Sequence, residues 1–131
     1  MVVEDSPDDA LLIRRAFRAL EACQASICRN LSEARAYMNG AGMYQDRTKY
    51  PFPNAIITDI HLGMESGLDF VKWVKAHPEY KDMPIYVLTG TASTREAFIA
   101  REAGAIEVLK KPARYEDLRT MLNDLAAKLC G

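Results

Sequence analysis

A single-domain, doubly wound α/β fold is what this chain of 131 residues predicts. Three observations carry that expectation. Short apolar runs at 1–3, 55–58, 85–88 and 105–109 are each followed by a stretch with helical spacing. The run at 55–58, Ala-Ile-Ile-Thr, lacks the polar alternation of a half-exposed strand, as suits a strand covered on both faces. Polar residues then follow the runs: Glu4-Asp5, Asp59, Thr89 and Lys111. In an open parallel sheet such strand ends share one edge, where ligands bind.

The elements follow in order. β1 ends at Val3, and only three residues precede Glu4, which is short for a core strand. Either the natural chain begins earlier or β1 is clipped. Ser6-Pro7-Asp8-Asp9 opens α1 over about 7–22, with Ser6 as N-cap, Pro7 at the first helical position and Asp9 as a capping-box acid. Leu11, Leu12, Arg15, Ala16, Ala19 and Leu20 recur at helical spacing. Residues 25–29 read as β2. Ser32 caps a short α2 that stops at Asn39-Gly40. The stretch 41–54, with Gly42, Pro51 and Pro53, is the longest loop.

β3 is 55–58. Ser66-Gly67-Leu68-Asp69 opens α3, and Pro78 ends it. Pro84 leads into β4, which Thr89 closes. Ser93-Thr94-Arg95-Glu96 is a capping box for α4, which stops at Gly104. β5 is 105–109. In α5, at 115–129, Leu118, Met121, Leu122, Leu125 and Leu129 form one stripe. Five successive βα units imply a parallel sheet with helices on both faces and right-handed crossovers. Nothing in the pattern suggests a second domain, so 1–131 is expected to be one unit.

Composition narrows the classes. Apolar residues are 49% and charged residues 27%, ordinary for a globular protein. A net charge of -1 lacks the basic excess of a nucleic-acid surface. No apolar stretch approaches the roughly 20 residues that span a bilayer, and no signal peptide is visible. The three cysteines, Cys23, Cys28 and Cys130, lack metal-like spacing and are odd in number. Reduced thiols in a cytoplasmic protein are the expectation.

The strand-end residues suit one chemistry. Glu4, Asp5 and Asp59 would repel one another if they converged, and a hard cation such as Mg²⁺ resolves that conflict with carboxylates, waters and phosphate oxygens. Aspartate can act as a nucleophile and form an aspartyl-phosphate. Phosphoryl transfer needs positioning and charge neutralisation above all. Thr89 can donate a hydroxyl to one phosphoryl oxygen, and Lys111 can bring a mobile charge to another. Lys110 reads as a solvated surface charge.

These motifs resemble the bacterial response-regulator receiver domain of two-component signalling. The matches are Val-Glu-Asp at 3–5, Ile-Ile-Thr-Asp at 56–59 with Gly67 beyond, Val-Leu-Thr-Gly at 87–90 and Lys-Pro at 111–112. The opening at 3–13 is most similar to small stand-alone receivers, of the chemotaxis-regulator kind and those partnered with phytochrome-type kinases. The resemblance implies a flavodoxin-like sheet of order 2-1-3-4-5. It implies that Asp59 accepts a phosphoryl group from the phosphohistidine of a histidine kinase or phosphotransfer protein. Asp5 and Asp59 would ligate Mg²⁺ directly, Glu4 mostly through water, and the backbone carbonyl of His61 would complete the protein ligands. Thr89 and Lys111 would bind phosphoryl oxygens, and the Lys111–Pro112 peptide would be cis. His61 and Thr91 occupy positions that tune dephosphorylation in the family. An output protein, or a homodimer through the α4–β5–α5 face near Tyr86, Phe98 and Tyr115, would read the signal.

The sequence also departs from the family. Val108 stands where an aromatic switch residue is common, and Leu62-Gly63 replaces a common Met-Pro. Asp8 and Asp9 are most simply first-turn acids that favour the helix dipole, with Asp9 at the metal site the minority reading. Trp73 is most simply a core residue. Two rivals remain: a phosphate-independent docking module on the same fold, and an aspartate-nucleophile phosphohydrolase. The hydrolase would want an acid where His61 stands. A flavin site would want a hydroxyl-rich loop after β1, where this chain has acids and Pro7.

Overall fold

The computed structural model describes residues 1–20, 23–90 and 93–130. Five parallel strands form the sheet: β1 (Val2–Val3), β2 (Ile27–Cys28), β3 (Ile56–Thr58), β4 (Ile85–Thr89) and β5 (Glu107–Lys110). Their spatial order is β2-β1-β3-β4-β5, the flavodoxin-like order that the family resemblance implied. The helices are α1 (Pro7–Arg18), α2 (Leu31–Asn39), α3 (Gly67–Ala76), α4 (Thr94–Ala103) and α5 (Tyr115–Cys130).

Strand residues alternate between two cores, as the period of two requires. Val3, Ile56, Ile85 and Val87 pack with Phe70, Val71 and Val74 of α3 and with α2 and α4. Val2, Ile57, Tyr86 and Leu88 pack with Ile13, Ala16 and Phe17 of α1 and Leu118, Leu122 and Leu125 of α5. Both faces are therefore covered. Trp73 is partly buried against the first core and stacks on Phe70 at 5.8 Å between ring centres.

Several local expectations shift. α1 is shorter than 7–22, and its buried face is Ile13, Ala16 and Phe17, while Leu11 is exposed. The core lies one residue around the helix from the expected stripe. Asn30, not Ser32, caps α2, because its Oδ1 accepts the Glu33 amide at 2.8 Å. The Ser93–Glu96 capping box of α4 is present, and Ser66 caps α3 as expected.

The 41–54 stretch is ordered around Arg47. Its guanidinium donates to the carbonyls of Tyr37, Met38 and Tyr50 at 2.8, 2.9 and 3.2 Å. It thereby satisfies carbonyls at the C-terminal end of α2. Tyr37, Tyr44 and Tyr50 form a tilted and edge-on cluster beneath it. A one-turn 3-10 helix (Gly42–Tyr44) interrupts the loop.

Two expectations fail. Cys23 and Cys130 are not free thiols but a disulfide pair, because the fold brings the segment after α1 against the last turn of α5, with Cα atoms 5.6 Å apart. Cys28 is buried and free. No peptide bond among the described residues is cis, so Lys111–Pro112 is trans. Trans is the lower-energy isomer of an X–Pro bond. With it, the Lys111 amide still donates to the Thr89 carbonyl at 2.7 Å, prolonging the β4–β5 pairing, and its side chain still reaches the sheet edge.

Candidate functional site

The strand ends converge as the sheet order requires. β1 delivers Glu4 and Asp5, β3 delivers Asp59, β4 delivers Thr89 and β5 delivers Lys110 and Lys111. Adjacent residues on a strand face opposite ways, so only one of the two lysines can enter the site. Lys110 pairs with Thr89 in the ladder and is exposed. Lys111 turns inward.

Its ammonium is the hub. Nζ donates to Glu4 Oε1 at 2.5 Å, Asp9 Oδ2 at 2.8 Å and Asp59 Oδ2 at 3.0 Å. The Lys111 and Glu4 side chains are 9% and 3% exposed, and that of Asp59 is 11% exposed. Burial acts against the Lys111 charge, but its hydrogen bonds to Asp9 and Glu4 and the nearby carboxylates outweigh it, so its pKa lies above the usual ammonium range. Burial pushes the Glu4 carboxyl the other way, above its ordinary value, and Lys111 compensates only in part. Asp59 Oδ1 accepts the His61 amide at 3.1 Å.

Asp9 is a residue that sequence reasoning misassigned. Its amide donates to Ser6 Oγ at 3.4 Å, as a cap requires, but its carboxylate does not return to complete a capping box. It points to Lys111. The missed signal is position: Asp9 sits in the first turn of the helix that begins directly after Glu4-Asp5, over the same edge.

Asp5 is exposed and does not join the hub. Among the described residues, no three acid, histidine or cysteine side chains close on a common metal position. Glu4 and Asp59, expected as ligands, both contact Lys111, the counter-charge within reach. The all-oxygen set of Glu4, Asp5 and Asp59 still has the chemistry a hard cation selects. Asp5 also opens onto a groove of about 460 Å³, lined in part by Arg14, Arg29, Glu33 and Met43.

Thr89 is fully buried, and its hydroxyl has no hydrogen-bond partner among the described residues. Buried hydroxyls are rarely left so. Thr58, also buried, donates to the Asp59 carbonyl at 3.0 Å. Gly67 passes directly over that carbonyl: a β-carbon there would collide with the Asp59 oxygen. Only glycine permits this approach.

After Asp59 the chain makes an antiparallel hairpin, His61–Leu62 with Glu65–Ser66, turned at Gly63 with φ 62°. Glu65 accepts the Leu31 amide at the start of α2 at 3.2 Å. The His61 ring leaves the hub, and its Nε2 lies 3.1 Å from Glu96 Oε2 at the start of α4. Thr91 lies outside the described residues. Val108 packs against the first core, so β5 carries an aliphatic side chain at that position. Phe98 and Tyr115 are exposed and Tyr86 is buried. No helix among the described residues is long and apolar enough to cross a membrane.

Known proteins resemble this chain in sequence and fold. The family model of the response regulator receiver domain matches residues 1–123. The chemotaxis protein CheY homolog of Campylobacter jejuni is 33% identical over 78 residues, 60% of this chain and 60% of that protein. The response regulator Rcp1 of Synechocystis is 25% identical over 126 residues, 95% of this chain and 84% of its own length. The chain spans only 14% of the sensor histidine kinase CheAY of Helicobacter pylori, to which it is 25% identical over 122 residues. The Mn(2+)-bound structure of Rcp1 superposes with a TM-score of 0.88 at 25% identity, covering 98% of this chain and 91% of that one. Sheet order, strand-end residues and the family match agree: this chain belongs to the response regulator receiver domain family, modules of two-component signalling.

Proposed function

We propose that the chain is a phosphoacceptor switch in which Asp59 takes a phosphoryl group from the phosphohistidine of a histidine kinase or phosphotransfer protein. One observation carries the proposal: a single ammonium, Lys111, is clasped by Asp59, Glu4 and Asp9 beside the buried hydroxyl of Thr89, which has no partner among the described residues. That edge holds more anionic groups than its cation neutralises, and a donor without an acceptor. Among the described residues, both are what an incoming metal and phosphoryl group would complete.

Glu4, Asp5, Asp59 and the backbone carbonyl of His61 are the groups that would hold Mg²⁺, with Asp5 already facing solvent. The metal supplies charge neutralisation between the carboxylates and the phosphoryl oxygens. An Asp59 carboxylate oxygen attacks phosphorus, the P–N bond to the donor imidazole breaks, and its electron pair stays on that nitrogen. Lys111 releases Glu4 and neutralises a phosphoryl oxygen. Thr89 turns its hydroxyl to another. Attack of water on phosphorus then breaks the Asp59 O–P bond, releases inorganic phosphate and restores the carboxylate, with His61 and Thr91 setting its rate. Beyond this self-modification no turnover is proposed. The chain, 1–131, acts as one receiver unit in the cytoplasm, and its output is a changed protein contact, with another protein or a second copy through the α4–β5–α5 face. With Val108 in place of an aromatic, that output does not use an aromatic rotamer switch.

The test is intact mass after incubation with Mg²⁺ and acetyl phosphate, with rapid quenching, beside Asp59→Asn. A gain of about 80 Da in the parent alone is expected for an aspartyl-phosphate. No gain in the quenched parent overturns the proposal in favour of a phosphate-independent docking module.

A further inference from the structure

We propose that Cys23 and Cys130 form a reversible redox site, a dithiol–disulfide couple that fastens the last turn of α5 to the segment after α1. The two residues lie 107 apart in sequence, yet their Cα atoms are 5.6 Å apart and their sulfurs are bonded. That Cα separation falls within the range natural disulfides occupy. The placement is built by the fold on both sides. The Cys23 amide donates to the Leu20 carbonyl in a turn at 3.0 Å. Leu20 and Leu129 flank the pair and pack on the α1–α5 core.

Both cysteines are half-buried at the rim of an open cavity of about 390 Å³, shared with Gln24, Ser26 and Asn54. Small thiols therefore reach the bond, the condition for exchange by thiolate attack. Cys28 behaves oppositely. It is fully buried, and burial pushes its thiol up to about 12, so at neutral pH it offers almost no thiolate. The cavity is also lined by Met1, Ala25 and Ala55, at the beginnings of strands, opposite the edge that holds Asp59. The couple is thus separate from the phosphoacceptor site and does not depend on its assignment.

The co-reactant is a small disulfide such as oxidised glutathione. One protein thiolate attacks it, its S–S bond breaks and one glutathione leaves as thiolate. The second protein thiolate attacks the mixed disulfide, forming Cys23–Cys130 and releasing the second glutathione. Two protons pass from the protein thiols to the two glutathiones. Reduction by a dithiol runs the same exchange backwards.

The experiment uses the full chain at neutral pH in oxidised or reduced glutathione. It is quenched in acid, unfolded, alkylated with iodoacetamide and read by intact mass. After oxidised glutathione, one alkyl group is expected, on Cys28. After dithiothreitol treatment of the folded protein, all three cysteines are alkylated. The oxidised form should melt higher by roughly 10 °C, since the bond closes a loop of most of the chain. Cys130→Ser should abolish that shift and leave Cys23 as a glutathione adduct, whereas Cys28→Ser should preserve both bond and shift. Three alkyl groups after oxidised glutathione, two glutathione adducts, disulfide-linked dimers, or a bond that dithiothreitol opens only in the unfolded chain would each overturn the proposal. Equal melting of the two forms would do so as well.

Discussion

Arg47 and Lys111 each organise their surroundings, and they do so in opposite ways. Arg47 meets three backbone carbonyls, and the phenols near it are equally well placed: the Tyr37 hydroxyl donates to the Pro51 carbonyl at 2.8 Å and lies 3.0 Å from Ser26 Oγ, and Tyr80 reaches the Met38 carbonyl at 2.9 Å. Donors and acceptors there match. Lys111 meets three carboxylates with one charge, beside a threonine hydroxyl that meets nothing among the described residues. A satisfied polar network stabilises a fold and specifies its geometry; a mismatched one stores an unmet demand, which a ligand can fulfil. The first region explains how the chain keeps its long loop in place. The second explains where it can change.

The comparison can be broken from either side. Gly67→Ala should do the most damage, because the added methyl collides with the Asp59 carbonyl in backbone that cannot yield: a loss of about 3 kcal/mol in urea unfolding, together with impaired phosphoryl uptake. A variant as stable as the parent would mean that the turn over Asp59 is adaptable and the site less rigid than described. Arg47→Ala should cost about 2 kcal/mol by stranding carbonyls at the end of α2, while phosphoryl uptake at Asp59 stays intact once the chain is folded. Loss of uptake in folded Arg47→Ala would show that the two regions are coupled.

Glu4→Gln tests the mismatch directly. Burial raises the Glu4 pKa in the folded state, so Glu4 favours folding below its unfolded pKa and disfavours it as pH rises through the folded value. Removing the charge should therefore stabilise the protein by about 1 kcal/mol at pH 7, a gain that fades as pH falls through the raised folded value, where the parent's Glu4 becomes protonated as well. Urea melts across that range decide it, and a destabilised variant at pH 7 would mean that Lys111 fully compensates Glu4. The smallest effect belongs to His61. His61→Ala frees Glu96 and should alter phosphoryl lifetime a few-fold, well below the roughly 10²–10⁴-fold contribution of a full acid–base group. Identical decay for the parent, His61→Ala and His61→Asn would remove His61 from the dephosphorylation path.

Much of this was legible because its causes are local. Ser93 and Glu96 name a helix start by themselves, since a capping box closes within four residues. The edge gathering Glu4, Asp59, Thr89 and Lys111 follows from alternating strands and helices, because parallel crossovers put all strand ends on one side, whereas the sheet order was implied by the family resemblance. The choice of Lys111 over Lys110 matched the inward face, and Pro112 beside it marked the right residue for the wrong isomer. The α1 stripe was read one position off because Leu11 is apolar yet exposed, and exposure depends on what α5 covers.

What the sequence by itself determined is therefore the element order, most helix boundaries, the family and the membership of the strand-end set, all consequences of short-range spacing and of chain topology. Tertiary structure alone decided that Asp9 joins Lys111 across 102 positions, that Arg47 holds the end of α2, and that Cys23 meets Cys130 across 107. It also decided that Asp5 faces solvent while Glu4 is buried. These outcomes depend on how α1, α5 and the 41–54 loop pack against one sheet. Packing is a property of distances in space, and residues a hundred positions apart carry no local mark of the partner they will meet.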